Sequence, residues 1–432
     1  MNLPPPMTSD PDTAFAPLYE TLSQQADGPW RAAFNGMTLD THFQPIYSFP
    51  HRRTIGHEAL LRITDGEGRA VPPLHFFAGL QGFDQQLMGD RLARLLHLHN
   101  FVRQQDPDGW LFVNIHPAVF VHCARDPELL QAWSRVIERL GVPPRRMVFE
   151  VTEDVMALDA DFEAAVASAR ATGCLLALDD FGAGHSNFDR VWRVQPEIVK
   201  LDRSLLRRAV ASPRIARVMT QMVSLLHECG ALVLLEGVET HDEGLLALDA
   251  DVDLVQGFAF GRPAPALIGA DQVSPEIEEV WARLGERHAE DRAAHTQRMT
   301  PYGVALKKAL PALRQGQPLH QACAALLALP GVQLCYLLDE QGADCCPPVA
   351  PARPQLSQRD LRFEPLEHAG TARWARRPYF RRAVAELGQV QVTRPYLSLK
   401  GARMCVTMST AFWSQAKMQV ICVDLDGAVE EE

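Results

Sequence analysis

The sequence predicts an α/β protein, a (β/α)8 barrel joined by a helix to a smaller α+β domain. Three observations lead there. Short apolar, β-rich runs recur between about residues 38 and 262, separated mostly by stretches of helical length, which is the pattern of a largely parallel sheet. The 432 residues exceed what one ordinary core organises, so two domains are expected. Beyond about residue 300 the texture changes to strands in succession with loops.

Taken in order, residues 1–30 open polar and Pro-rich (MNLPPPMTSDPDTAFAP) and read as a partly disordered lead ending in a short helix. The barrel domain is placed at 31–268. Its strand candidates are HFQPIYSF, TIGHEALLRI, WLFVNI, RMVFEVT, CLLALDD, EIVKLD, ALVLLEG and DLVQGFAF. PELLQAWSRVIERLG and PRIARVMTQMVSLLHECG are helices between them. Eight strands over about 230 residues suit a closed barrel. A doubly wound open sheet fits the same alternation.

A connector helix follows at 269–300, SPEIEEVWARLGERHAEDRAAHTQRM. Ser274 can cap it, Pro275 suits its first position, and Glu276 and Glu278 suit its positive end. Its charge marks a solvated face. Residues 301–432 form the second domain. KKALPALRQGQPLHQACAALLAL reads as helical, and VQLCYLLDEQG, QVQVTRPYLSL, ARMCVTMSTAFW and MQVICVDLD read as strands of an antiparallel sheet flanked by helices.

The formal net charge is -11 and no basic run stands out, which argues against a nucleic acid polymer as partner. Nine scattered cysteines without a CxxC spacing read as reduced thiols of a cytoplasmic protein. No apolar stretch is long enough to span a bilayer, and the start lacks a signal-peptide pattern.

Nearly every strand candidate carries a polar residue near its end. Glu58 lies in GHEALLR, Asn114 ends LFVNI and Glu150 lies in VFEVTE. Asp179 and Asp180 end LLALDD, Lys200 and Asp202 lie in IVKLD, Glu236 ends LVLLEG, and Gln256 ends DLVQG. Ligands of a parallel barrel gather at the carboxyl ends of its strands. One buried carboxylate can be satisfied by a backbone amide; a group of them needs a compensating cation. Oxygen ligands select Mg²⁺ or Mn²⁺ over zinc, and a pair of such ions is a known device for phosphodiester hydrolysis. Taken singly, Asp179–Asp180 also reads as a strand end with a helix cap, Lys200 as a solvated strand end, and Arg62 as a salt-bridge partner. His57, His116 and His185 read as packing or surface residues, His57 pointing to the face opposite Glu58.

The series QPI, EALLR, NIHP, FEVTED, DDFGAGHSN, VKLD, EGVE and QGFAFGRP, in this order, resembles the EAL-domain family of cyclic di-GMP phosphodiesterases over about residues 38–265. The resemblance implies a TIM-like barrel that linearises cyclic di-GMP to pGpG with two divalent metal ions, Mg²⁺ or Mn²⁺. It implies that Glu58, Asn114, Glu150 and Asp179 bind the first ion, with Asp179 bridging to a second that Asp180 completes. Lys200 would hold or polarise the attacking water, and Glu236 would be the general base or a water-mediated ligand. Arg62 would contact a substrate phosphate, with Gln44, Asp202 and Pro263 also substrate-binding. Glu153 would anchor the turn after Asp180, and Glu239 and Gln256 would support the second ion. The family also implies a homodimer through the barrel domain. His185 stands where the family usually has Tyr, which bears on the loop and not on metal binding. With no Gly-Gly dipeptide, there is no GGDEF-type cyclase signature. RRPYFRRAV, QVTRPYLSL and ARMCVTMSTAF resemble a Cache/PAS-like sensor domain. Arg377, Tyr379, Arg394 and Tyr396 would then line a pocket for an unknown small ligand, or else pack a sheet against a helix. The rival reading is a catalytically silent EAL domain that binds cyclic di-GMP and signals through a protein partner.

Overall fold

Each of the eight β-rich runs forms a strand. They are β1 (Met37–Ser48), β2 (Arg53–Thr64), β3 (Trp110–Asn114), β4 (Met147–Thr152), β5 (Leu175–Phe181), β6 (Ile198–Leu201), β7 (Leu232–Leu235) and β8 (Leu254–Val255). The computed structural model describes residues 15–24, 28–106, 108–124, 126–152, 159–183, 188–269, 275–352, 372–398 and 403–427. It divides into two units, Met1–Glu286 and Arg287–Glu432.

In the first unit the eight strands close on themselves, because β1 pairs with both β2 and β8. Closure removes the open-sheet option. From β2 to β8 neighbouring strands run parallel, while β1 is antiparallel to both its neighbours. The barrel departs from an eightfold parallel repeat at this one strand, for a reason of chain length. Only residues 49–52 join β1 to β2, and a parallel connection needs a crossover of about a dozen residues or more. Arg52 makes the reversal with φ +56.

Helices fill the later crossovers, among them α1 (Gly82–Arg103), α2 (Arg203–Ala211), α3 (Pro213–Glu228) and α4 (His241–Asp249). Thr240 and Glu243 form a capping box at the start of α4. The sequence did not separate two short strands, Leu22–Gln24 and Trp30–Phe34, which extend the sheet from β1. The expected short helix of the lead is Ala16–Tyr19.

Within the barrel, Ile46, Phe112, Val148, Ala177, Ile198, Leu234 and Leu254 form one buried apolar cluster, a residue from each of seven strands. Gly56 completes this layer from β2. A Cβ there would stand 2.6 Å from the Trp110 carbonyl oxygen, so the close β2–β3 approach requires glycine.

The helix α5 spans Pro275–Arg314 and so continues past residue 300, with Pro301 and Pro311 inside it. Met299, Tyr302, Leu306, Leu310 and Leu313 recur at helical spacing and are buried in the core of the second unit, and this packing outweighs the two prolines. Its first turns are not a solvated face: Ile277 and Val280 are buried in the barrel's outer core, and Trp281 Nε1 donates to the Phe49 carbonyl at 3.2 Å. The capping residue expected from the sequence, Ser274, lies outside the described residues.

The second unit carries an antiparallel sheet, as its strand succession predicts. Its strands are β9 (Val332–Leu338), β10 (Gln391–Val392), β11 (Tyr396–Ser398), β12 (Arg403–Ser414) and β13 (Lys417–Asp426), in the order β9-β13-β12-β10, with β11 also paired to β12. The run QVQVTRPYLSL is thus two short strands, split around Pro395. Helix α6 (Pro378–Ala385) packs Tyr379, Phe380 and Ala383 against Tyr336, Leu338, Ala411 and Val420. Among the described residues, no helix is long and apolar enough to cross a membrane.

Candidate active site

One pleat beyond the apolar layer, every strand contributes a polar residue. Side chains alternate along a strand, so a residue two positions on returns to the same face. From Ile46, Gly56, Phe112, Val148, Ala177, Ile198, Leu234 and Leu254 that step leads to Gln44 on the reversed β1, then to Glu58, Asn114, Glu150, Asp179, Lys200, Glu236 and Gln256. Register holds the layer level: Gln44 pairs with Glu58 across β1–β2, and Asn114 pairs with Glu150 across β3–β4.

Lys200 sits in the middle of this ring, almost wholly buried. Its Nζ lies 2.6 Å from Glu150 Oε1, 2.6 Å from Glu236 Oε1, 3.3 Å from Asp179 Oδ1 and 3.8 Å from Glu58 Oε2. Gln256 Nε2 donates to Glu58 Oε2 at 2.7 Å, and Asn114 Nδ2 donates to Glu58 Oε1 at 3.0 Å. Four carboxylates therefore surround one ammonium.

The charge imbalance appears in the titration of the group. Burial and the neighbouring Glu58 and Asp179 charges push the Glu150 carboxyl well above its ordinary value, against the pull of Lys200. Burial likewise lifts Glu236 to about 8; Lys200 opposes the lift, and Asp179 and Glu58 add to it. Burial raises Glu58 as well, but Lys200 and the amides of Gln256 and Asn114 outweigh it, leaving Glu58 below its ordinary value. Burial works against the Lys200 ammonium, yet the four carboxylates hold it well above its ordinary value.

Among the described residues, no three His, Cys, Asp or Glu side chains are already gathered as a metal cage; the Lys200 ammonium stands among the carboxylates. The donor chemistry nonetheless suits hard cations. The ring offers oxygen from Glu58, Asn114, Glu150, Asp179 and Glu236, and neither buried oxygen of Glu150 receives an aligned hydrogen bond, although Oε1 touches the ammonium.

The adjacent aspartates diverge. The β5–β6 register shifts between Leu178 and Phe181, a bulge that holds both residues, and Asp180 adopts φ +59 there. Asp179 turns into the ring, nearly buried, while Asp180 is exposed at the strand end. A bulge at a strand end re-aims side chains in this way. Asp202 caps α2, its Oδ1 accepting from Ser204 N at 2.8 Å. Arg62, on the same face of β2 as Glu58, is half-buried, and its Nη1 donates to the Leu61 carbonyl. Pro263 lies in the segment that follows β8, where Gln44 Nε2 donates to Gly261 O at 3.3 Å and Ala264 bridges Phe43.

A cavity of about 160 Å³ opens over the ring, walled by Gln44, Glu58, Glu236, Gln256, Arg203 and Phe258. Glu239 also lines it and forms an ion pair with Arg203. Sequence reasoning missed Arg203 and Phe258. Each directly follows or nearly follows a residue it did mark, Asp202 and Gln256, but a lone Arg at a helix start or a lone aromatic carries no signal of its own. Glu153, His185 and the rest of the turn after Ala183 lie outside the described residues. His57 does face away from Glu58: it is buried on the outer face, and its Nε2 accepts from Ile268 N at 3.0 Å.

Comparison with known proteins agrees with this architecture. The cyclic di-GMP phosphodiesterase RocR of Pseudomonas aeruginosa is 27% identical over 230 residues, covering 52% of this chain and 58% of RocR. The cyclic di-GMP phosphodiesterase NbdA of the same organism is 27% identical over 254 residues, covering 57% of this chain and 31% of NbdA. The chain thus spans from about a third to somewhat over half the length of these relatives. Among solved structures, the Bacillus subtilis YkuI protein, which has an EAL domain and was crystallised with substrate c-di-GMP and calcium, superposes with a TM-score of 0.73 at 20% identity. That match covers 90% of this chain and 96% of YkuI, so the likeness of fold extends beyond the barrel. The sequence profile of the EAL domain matches residues 29–263, over half of the chain and all eight barrel strands, and the chain therefore belongs to the EAL domain family.

Proposed function

We propose that this chain hydrolyses cyclic di-GMP to linear pGpG at the polar end of its barrel, with two divalent metal ions, Mg²⁺ or Mn²⁺, as cofactors. The observation that carries the reading is the ring itself: four carboxylates around Lys200, at the carboxyl ends of parallel strands. The likeness to RocR and NbdA, both cyclic di-GMP phosphodiesterases, supports the substrate. Glu58, Asn114, Glu150, Asp179 and Asp180 would hold the two ions. When bound, such ions activate a water and neutralise charge on the scissile phosphate.

The remaining steps fall to this chain's own residues. Lys200 donates hydrogen bonds from a fixed position in the ring and orients the attacking water. Glu236, whose affinity for a proton burial has raised, accepts the proton that water gives up. Arg62 meets a substrate phosphate with a half-buried guanidinium, and Gln44, Asp202 and Pro263 shape the pocket. Glu153, Glu239 and Gln256 support the ligands, Gln256 through its bond to Glu58. The barrel pairs with a second copy of itself, and the second unit, Cache/PAS-like, answers to a small ligand.

The test is chromatography of the products formed from cyclic di-GMP by the purified chain with Mg²⁺ or Mn²⁺, alongside Glu58→Ala and Asp179→Ala. The reading expects pGpG from the wild type and none from either variant. Binding without pGpG under every metal condition would replace it with the receptor reading. Light scattering of the same samples, giving a dimer mass, checks the assembly.

A further inference from the structure

The second unit carries an open cleft of about 290 Å³ between the start of α6 and the segment leading into β11, with Arg382 and Arg394 exposed at its rim. Its size is near the lower end for small-molecule sites, which run to about 300–1,000 Å³. Three arginines line it, Arg377, Arg382 and Arg394, and among the described residues no carboxylate does. None of the three forms an ion pair with a described residue. Like charges on one wall repel one another, and the same field attracts an anion.

The walls are built. The rings of Tyr379 and Tyr396 stack with centroids 6.3 Å apart at 24°. Thr407 Oγ1 donates to Asp424 Oδ1 at 2.7 Å, which leaves it to accept from the Tyr396 hydroxyl, also at 2.7 Å. The buried Asp424 receives the Tyr336 hydroxyl as well, at 3.1 Å. This chain of bonds fixes the Tyr396 ring as an apolar wall and commits its hydroxyl to the sheet behind. Thr393, on the floor, accepts from Thr407 N at 2.9 Å. The first turn of α6 also faces the cavity, and no side chain caps it. Pro378 has no N–H, and the amides of Phe380 and Arg381 donate to the Arg377 carbonyl at 3.1 and 3.0 Å, so what the turn adds is the positive end of its dipole.

We propose that this cavity binds a small organic anion with two or more negative charges, a di- or tricarboxylate or a phosphorylated metabolite, held by Arg377, Arg382 and Arg394 against the two tyrosine rings. The inference gives a ligand class to the second unit and rests on the reading of that unit as a ligand-binding domain. It is independent of whether the barrel hydrolyses its substrate.

The test is titration calorimetry of the full chain, at fixed ionic strength and without divalent metal, with succinate, citrate and 3-phosphoglycerate as probes. At least one is expected to bind one per chain at about 1 mM or tighter. Arg377→Ala and Arg394→Ala should each weaken it tenfold or more, and Arg394→Lys less. Preference among the probes separates carboxylate from phosphate ligands. Arg382→Gln, at an exposed position, serves if a variant fails to fold. No binding by any probe, or binding that the Arg377→Ala/Arg394→Ala double variant keeps, would overturn the proposal. Loss of pGpG formation with anion binding intact would overturn only the hydrolysis reading.

Discussion

Lys200 Nζ and Glu150 Oε1 lie 2.6 Å apart, with 1% and 0% of their side chains exposed. In a site this dry the ammonium is the internal counter-charge of the whole carboxylate ring. Lys200→Met keeps the side chain's length and removes its charge. Breaking a buried pair from one side costs about 3–5 kcal/mol, because the partner charge is left uncompensated. Calorimetric unfolding in EDTA should show the barrel transition lowered accordingly, with hydrolysis lost. Saturating Mn²⁺ should return part of the lost stability. An unchanged midpoint in EDTA would show that Lys200 does not balance the ring.

Glu150→Gln separates the metal from the fold. Burial and two neighbouring carboxylates raise the proton affinity of Glu150, and Gln keeps the side chain's shape while removing one of the four carboxylates that crowd Lys200. The variant should therefore unfold in EDTA within about 1 kcal/mol of the wild type. A ligand at a hundred times its Kd adds about 2.7 kcal/mol of stability. That Mn²⁺-dependent gain should be clear in the wild type and fall by more than half in the variant. An equal gain in both would remove Glu150 from the metal ligands.

The same alternation that makes these predictions also made the site readable. Apolar runs with one polar residue near the end marked Glu58, Asn114, Glu150, Lys200, Glu236 and Gln256, because burial on both faces leaves strands apolar wherever chemistry does not intervene. Gln44 was legible only through the resemblance, since nothing in HFQPIYSF announces that β1 runs backwards and presents its early residues to the same layer. The count of eight strands favours a closed barrel, but the alternation alone does not exclude an open sheet: closure depends on β1 pairing with β8, a contact between residues about two hundred positions apart. The divergence of Asp179 and Asp180 was not readable, since it arises from a register shift against β6. At α5 the charged pattern was correctly read as helical, but burial of Ile277, Val280 and Leu306 comes from surfaces that the helix's own sequence does not describe.

Two histidines on α1 should make the barrel acid-sensitive. His97 is buried, its Nδ1 2.8 Å from Thr41 Oγ1, and burial together with the Arg62 charge lowers its pKa to about 3. His99 packs between Trp30 and Tyr19, and burial lowers it to about 4. Both lie below the ordinary 6.5. Above pH 6.5 each is neutral folded or unfolded and contributes nothing. As pH falls from 6.5, the unfolded chain takes up protons that the folded chain refuses, so stability drops, until about pH 4 for His99 and about pH 3 for His97. The loss from His99 reaches up to about 3 kcal/mol. His99→Phe keeps an aromatic ring in place. Its melting temperature should fall less steeply than the wild type's between pH 6.5 and 4, with little difference at pH 8. Parallel slopes would show that His99 is not the acid-sensitive group.

Two glycines beside the cavity should differ in what they tolerate. A Cβ on Gly257 would stand 2.0 Å from the Val238 carbonyl oxygen and 2.3 Å from its nitrogen, and backbone there cannot yield without moving the strand end that carries Gln256. A Cβ on Gly237 would meet Arg203 Cγ and Cδ at 2.5 Å and its Cβ at 2.7 Å; Cγ and Cδ can turn aside, while the Cβ contact asks for a smaller backbone shift than the 2.0 Å clash at Gly257. Gly237 also has φ +69, so alanine adds backbone strain of about 1 kcal/mol. Gly257→Ala should therefore lower the barrel's unfolding midpoint more than Gly237→Ala. The milder variant should instead show its effect at the cavity, because displacing Arg203 breaks its pair with Glu239. Its KM for cyclic di-GMP should rise several-fold with kcat less affected, as expected when an interaction common to bound substrate and transition state is removed. If Gly257→Ala proves the more stable of the two, backbone approach is not what fixes glycine there.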